Sequence, residues 1–194
     1  MKSDIIAVSS RGSDRTAEVL AEAERVAAYQ KLSAKNALHL RLLAEETMGL
    51  VRAIARDVQG EFWIENDGPQ YELHLRAETD MDLAKREKLI AASTKGINEA
   101  ERGLMGKIRA FFEPAEGIPL YLDFDSTPNG IYSDLMWSMS VYQQRLQQQL
   151  RENRAGAAEA WDELEQSVVA HVADDVRVGI RGSEVEMTVC KRMD

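Results

Sequence analysis

Residues 33–77 show the clearest pattern of hydrophobic and polar positions in the chain. In the first half of this stretch, Leu43, Leu50 and Ile54 share one face of an α-helix, because positions four or seven apart lie on the same side of a helix. The second half alternates apolar and polar residues on both sides of Asn66-Asp67-Gly68, a sequence that favours a tight turn between antiparallel strands. The pattern therefore predicts an amphipathic helix followed by a β-hairpin.

Alternation within the hairpin also predicts which side chains enter the core. Successive residues of a strand point to opposite faces of a sheet. The residues on one face are apolar: Phe62, Ile64, Tyr71, Leu73, Leu75 and Ala77. Trp63, His74 and Arg76 fall on the opposite face. Gly60 is predicted to end the preceding helix, because glycine is common just beyond a helix C-terminus.

The segments around this stretch show weaker patterns. A β-branched run at 4–9 predicts an edge strand, and residues 15–32 have a helical pattern. Residues 80–112 also have a helical period, and alternation at 120–124 favours a short strand. The apolar stripe of the 15–32 helix consists of Leu20, Ala23, Val26 and Ala27.

The last third of the chain predicts two helices and a second hairpin. Residues 133–151 form a polar helix, for which Ser133 is a candidate N-cap, and residues 157–173 form another. Residues 176–189 alternate on both sides of Gly182-Ser183, as expected for a hairpin. The apolar residues in helical register are Trp137, Val141, Leu146 and Leu150 in the first helix, and Trp161, Leu164, Val168 and Val172 in the second.

The order of these elements predicts an α+β fold. Two hairpins with one apolar face each, and helices with matching stripes, fit a two-layer α/β sandwich with the helices packed on one face of a mixed or antiparallel sheet. We expect one domain over residues 1–194, with a helical insertion at about 83–154. An aromatic and methionine-rich group in the insertion fits either core packing or a partner-binding groove. Its members are Tyr132, Trp137, Met139 and Tyr142.

Composition narrows the classes of partner. The 194 residues are 44% apolar and 29% charged, as in ordinary soluble domains, and the net charge is −9. Without a basic block, this charge argues against nucleic acid or an anionic membrane as the main partner. Cys190 is the single cysteine, and no stretch is apolar enough to span a membrane, so we expect a cytoplasmic protein. No triad or metal-ligand spacing links the three histidines, His39, His74 and His171.

Three segments resemble the GHKL superfamily of ATPases, which includes histidine kinases and anti-sigma-factor serine kinases. Residues 42–55 are similar to the helix that bears the family's general-base glutamate and, four residues later, its magnesium-binding asparagine. Residues 62–80 resemble the following hairpin, whose second strand ends in the aspartate and glycines that contact adenine. Residues 167–193 are similar to the final helix and hairpin of the anti-sigma group. The resemblance therefore implies an ATP-binding fold.

The same resemblance implies a nucleotide site for ATP or ADP. It places the general base at Glu46, with Glu45 beside it. It places the carboxylate that accepts a hydrogen bond from adenine at Asp80 or Asp82. The family's glycine-rich lid is resembled most by the short stretch that contains Gly103 and Gly106.

Each of these residues also has a structural explanation. Glu45 and Glu46 fit a solvated helix edge, and Asp80 fits the N-cap of a following helix. Isolated glycines such as Gly103 and Gly106 are common within helical patterns. Both explanations stay open at this point.

The sequence departs from the family at the metal site and at the adenine site. Four residues after Glu46 stands Leu50, and four after Glu45 stands Gly49, neither of which offers the oxygen ligand that Mg²⁺ requires. Residues 79–83 contain no glycine, although the family needs glycines there so that the backbone can approach the nucleotide. The departures predict a degenerate member with no metal site and without ordinary Mg·ATP catalysis.

Three functions are consistent with these features. The first is a regulatory module that acts through protein contacts, as a homodimer or with a regulatory partner. The second is an ATP- or ADP-binding protein, or a serine kinase, with a remodelled pocket near Glu46, Asp80 and residues 103–106. The third discards the resemblance and treats the chain as an unrelated α+β protein that binds a small molecule.

Overall fold

A computed structural model describes residues 1–11, 15–53, 58–78, 135–181 and 184–194. Its strands are β1 (Ile6–Ser9), β2 (Gln59–Asp67), β3 (Gln70–Glu78), β4 (Leu135–Ser138), β5 (Asp175–Arg181) and β6 (Glu184–Arg192). Its helices are α1 (Thr16–Tyr29), α2 (Ala34–Ala53), α3 (Met139–Arg151), α4 (Ala157–Glu165) and α5 (Val168–Val172).

The six described strands form one sheet in the order β1-β2-β3-β6-β5-β4, and every neighbouring pair is antiparallel. Strands β3 and β6 pair from Gln70 opposite Arg192 to Glu78 opposite Glu184. The two predicted hairpins are therefore neighbours within a single sheet.

One core cluster joins the sheet to the helices. It contains Val19 of α1, Leu43 of α2, Tyr142 of α3, Leu164 of α4 and Val169 of α5, together with the apolar residues of the strands. We call the sheet face that packs against this cluster the inner face and the opposite one the outer face. The predicted two-layer α/β sandwich, with helices on one face, is confirmed.

The first hairpin packs as its alternation predicts. Phe62 lies opposite Leu75 and Ile64 opposite Leu73, and all four side chains are buried on the inner face. Each contributes about 1.5–3 kcal/mol by leaving water. In α2, Leu43 and Leu50 are also buried as predicted, whereas Ile54 lies outside the described residues.

Gly60 does not end a helix, which corrects the prediction. It lies in β2 opposite Ala77, and a Cβ built at Gly60 would stand 2.5 Å from the carbonyl oxygen of Arg76. Close approach of the neighbouring strand, rather than a helix end, is the reason for glycine here.

The hairpin turn lies one residue further along than predicted. Asp67 pairs with Gln70, so the loop is Gly68-Pro69, and Gly68 has a φ of +55°. Since proline cannot adopt a positive φ, this two-residue loop fits a type II′ turn rather than a type I′ turn.

The helix predicted at 133–151 begins later, at Met139. Leu135–Ser138 instead form strand β4, which pairs with β5. Hydrogen bonding to the neighbouring strand outweighs the helical pattern of these residues. In α3 the core residues are Met139, Tyr142 and Leu146, whereas Val141 is 40% exposed.

The helix predicted at 157–173 is two helices. The chain breaks after Glu165, and Ser167 caps α5 by accepting a hydrogen bond from the backbone N–H of Ala170. The break changes the helical register, so Val169 is buried and Val168, predicted as a stripe residue, is exposed.

The N-terminal segment extends the sheet beyond β1. The Ser3 N–H donates to the Ile64 carbonyl, whereas Ile6 pairs with Phe62, so Asp4 and Ile5 together oppose Trp63 in a β-bulge. The segment thereby runs along the whole of β2.

Several expectations fall outside the described residues. These are the helical pattern at 80–112, the strand at 120–124, the Ser133 cap and the Gly182-Ser183 turn. The insertion at 83–154 stays a prediction for the same reason, although its last part supplies β4 and α3.

Replacing Gly60 with alanine should destabilise the fold by about 1–3 kcal/mol, because the new Cβ must displace the backbone of Arg76. Gly49→Ala is the matched control. Nothing lies within 4 Å of a Cβ at Gly49, so alanine there should stabilise α2 by about 0.5–1 kcal/mol. Urea unfolding of both variants measures the two changes, and a neutral Gly60→Ala would contradict the close approach.

Candidate functional site

The predicted general base lies on the flank of α2. Glu46 is half-buried and Glu45 is exposed, and neither makes a hydrogen bond or ion pair within the described residues. Leu50 is only 3% exposed and belongs to the core cluster. The position at which the resemblance implies a magnesium ligand is therefore occupied by a buried leucine.

The other predicted nucleotide-binding residues lie outside the described residues: Asp80, Asp82, Gly103 and Gly106. Their proximity to Glu46 stays a prediction.

The outer face of the sheet carries the densest group of interacting polar side chains that we find. Its central row crosses five strands, because each member is the direct cross-strand neighbour of the next. In order, the row is Trp63, His74, Thr188, Arg177 and Ser138.

Trp63 and His74 form an aromatic pair at one end of this row. Their rings stack with centroids 4.8 Å apart and planes 3° from parallel. Lys2 Nζ lies 4.5 Å from the indole centroid, and the Arg76 guanidinium carbon lies 5.0 Å from it. Trp63 is almost fully buried, and no described helix packs on this face.

Glu65 links the indole to Lys2. Glu65 Oε1 accepts a hydrogen bond from Trp63 Nε1 at 2.8 Å and lies 3.0 Å from Lys2 Nζ. The hydrogen bond from Lys2, followed by that from Trp63, lowers the pKa of Glu65 below its ordinary value of 4.5. An indole face and a carboxylate together form a site for one ammonium group.

His74 ties β3 to β6. Its Nδ1 lies 3.0 Å from Glu186 Oε1, and Glu186 also accepts hydrogen bonds from Arg76. His74 Nε2 is buried and has no hydrogen-bond partner within the described residues, with Glu72 Oε2 at 3.7 Å. The contact between Nδ1 and Glu186 therefore links β3 to β6.

Cys190 is buried on the same face. Arg177 donates a hydrogen bond to its Sγ at 3.0 Å, and Glu72 Oε1 lies 3.7 Å away. Burial raises the pKa of the Cys190 thiol to about 11, and the opposing effect of Arg177 is smaller. The thiol therefore stays protonated near neutral pH and is a poor nucleophile.

Two pairs of glutamates stand directly opposite each other on the outer face. Glu65 opposes Glu72, and each has a cation nearby, Lys2 at 3.0 Å and Arg177 at 3.7 Å. Glu78 opposes Glu184 at the other end of the sheet, and Glu184 also stands directly opposite Arg181 of β5. Like charges directly opposite each other destabilise a sheet.

Among the described residues, no cluster of three or more histidine, cysteine, aspartate or glutamate side chains is arranged to hold a metal. A polar notch of about 270 Å³ at the end of α3 is lined by Arg145, Gln148, Gln149, Glu152 and Arg154. None of the described helices has the length and apolar character needed to cross a bilayer.

Comparison of the sequence with protein-family models and with curated proteins finds no match to either.

The sequence analysis missed the outer-face network, although it placed Trp63, His74 and Arg76 together on that face. The missing information was the partner strand. Glu186 lies 112 residues from His74 in the chain, and only the pairing of β3 with β6 brings them together.

Lys2→Gln should raise the pKa of Glu65 towards 4.5, because Lys2 is the main cause of its lowered value. In the wild type, this carboxylate stabilises the fold above pH 4.5, and that contribution is lost as the pH falls through its lower folded pKa. Carbon-detected NMR titration of the Glu65 carboxyl group measures both values. Equal values in the two proteins would show that Lys2 does not hold Glu65 in solution.

Proposed function

We propose that this chain is a regulatory module that acts through contacts with other proteins, on a degenerate version of the GHKL ATPase fold. The observation that carries the proposal is the outer face. No described helix covers it, yet it bears an ordered set of charged side chains around Trp63 and His74. An ordered and accessible charged face is suited to recognition, since charge patterns give specificity and speed association.

The α2 flank supports the non-catalytic part of the proposal. Glu46 has no partner within the described residues that would orient it as a base, and Leu50 is packed in the core. Leucine offers no oxygen ligand for Mg²⁺. A base at Glu46 would therefore have no metal-bound nucleotide to act on.

The aromatic and methionine-rich group of the insertion is a second candidate surface for a partner. Two of its members, Met139 and Tyr142, are buried in the chain's own core. We therefore favour the outer face.

Millimolar ATP or ADP, with or without Mg²⁺, should produce no binding heat and no change in melting temperature. A ligand that binds the folded state must stabilise it, so the two measurements check each other. A clear rise in melting temperature would overturn the proposal in favour of a remodelled nucleotide pocket. In that case Glu46→Gln should retain binding and abolish any hydrolysis.

The protein should form a defined complex, either with a second copy or with another protein. Size-exclusion chromatography with light scattering measures the first, and crosslinking followed by affinity capture and identification of the captured protein measures the second. A strict monomer that captures no defined partner would contradict the regulatory role.

A further inference from the structure

We infer that the outer face docks a basic segment of a partner protein and that Trp63 and Glu65 form a site for one of its lysine side chains. This inference rests on the proposed function and names its surface and partner chemistry. The structure contains a direct example of the contact, since the chain's own Lys2 occupies the site.

The site has the chemistry of an ammonium receptor. The Lys2 ammonium lies over the indole ring at 4.5 Å from its centroid and 3.0 Å from the Glu65 carboxylate. The Trp63 N–H donates to the same Glu65 oxygen, which holds the carboxylate beside the ring. A cation therefore meets an oriented carboxylate and a π face together.

Lys2 can leave this site without disturbing the strand. Its side chain is 49% exposed, and exposed ion pairs are weak. The backbone around it is held separately, because the Ser3 N–H donates to Ile64 and the Asn66 N–H donates to the Met1 carbonyl. A rotation of the Lys2 side chain would free the Glu65 carboxylate and the place of Lys2 over the indole, while Arg76 stays 5.0 Å from the ring centroid.

The rest of the outer face carries further exposed carboxylates. Glu78 and Glu184 oppose each other at one end of the sheet, with Arg181 opposite Glu184 on β5. Glu61 is exposed on β2. The Glu65–Glu72 pair shows how such a repulsion is relieved, since a cation lies beside each carboxylate. With a chain charge of −9, a basic segment is the occupant whose charge complements this face.

The probe is a capped oligolysine peptide, with a capped oligoglutamine peptide as the neutral control, titrated at low salt. Calorimetry gives the affinity, and the indole N–H signal of Trp63 in ¹H–¹⁵N NMR spectra gives the location. That signal is assigned by its loss in Trp63→Phe. We expect the lysine peptide to bind and to move this signal, and the glutamine peptide to do neither.

Lys2→Gln and Lys35→Gln form the matched pair of variants. Both remove one positive charge, but Lys35 lies exposed on α2, away from the outer face. If Lys2 competes with the peptide, Lys2→Gln should bind the peptide roughly threefold tighter than Lys35→Gln does. A roughly threefold change in affinity is what the loss of one exposed ion pair is expected to cause. Equal affinities would show general attraction to an acidic chain and would overturn the inference.

The double variant Glu78→Gln/Glu184→Gln separates binding from folding. A melting temperature close to the wild-type value shows that the variant is folded, while affinity for the lysine peptide falls roughly threefold. Unchanged affinity would remove these glutamates from the docking surface and overturn that part of the inference.

Three other outcomes would contradict the inference that the partner is basic. The first is a Trp63 signal that does not move with the lysine peptide, and the second is an equal shift of that signal with CaCl₂ or MgCl₂ alone. The third is a dimer, measured by light scattering, that the double variant Glu78→Gln/Glu184→Gln dissociates. None of these outcomes is evidence for nucleotide binding. The proposed function is therefore tested separately, by the nucleotide titrations and by the search for a complex.

Discussion

The antiparallel pairing of β3 with β6 is the contact on which the rest of the structure depends. It joins the two hairpins through nine residue pairs in one register, and the two residues of each pair are more than 100 positions apart in the chain. On the inner face this register places Leu73 beside Val189 and Leu75 beside Met187. On the outer face it places His74 beside Thr188 and Arg76 beside Glu186. A slip of one residue would exchange the two faces and bury the charges.

The two faces of the sheet contribute differently to the free energy of unfolding, because their interactions differ in strength. A buried side chain such as Leu73 or Met187 contributes about 1.5–3 kcal/mol, whereas an exposed ion pair such as Arg76–Glu186 contributes about 0–1 kcal/mol. The inner face therefore stabilises the fold. Charges on the outer face are available for recognition, since their rearrangement costs little.

The same comparison explains how the outer face tolerates opposed glutamates. Glu65 and Glu72 remain half-exposed and are each close to a cation, while Trp63 and His74 supply the buried contact area between the strands. Glu78 and Glu184 are exposed at the strand ends, where Arg181 stands opposite Glu184. Such an arrangement retains negative charge at a modest cost in stability, which is consistent with a face that receives a cationic partner.

The sequence by itself determined the α+β class, the two hairpins and the buried positions of the first hairpin, because alternation and helical period report local burial directly. It erred at Gly60, at Leu135–Ser138 and at the break after Glu165, where contacts with a neighbouring strand or a local cap outweigh the helical pattern. Only the tertiary structure decided the outer-face network. Its members lie on five strands, and their partners are set by a long-range register that leaves no periodic signal in the chain.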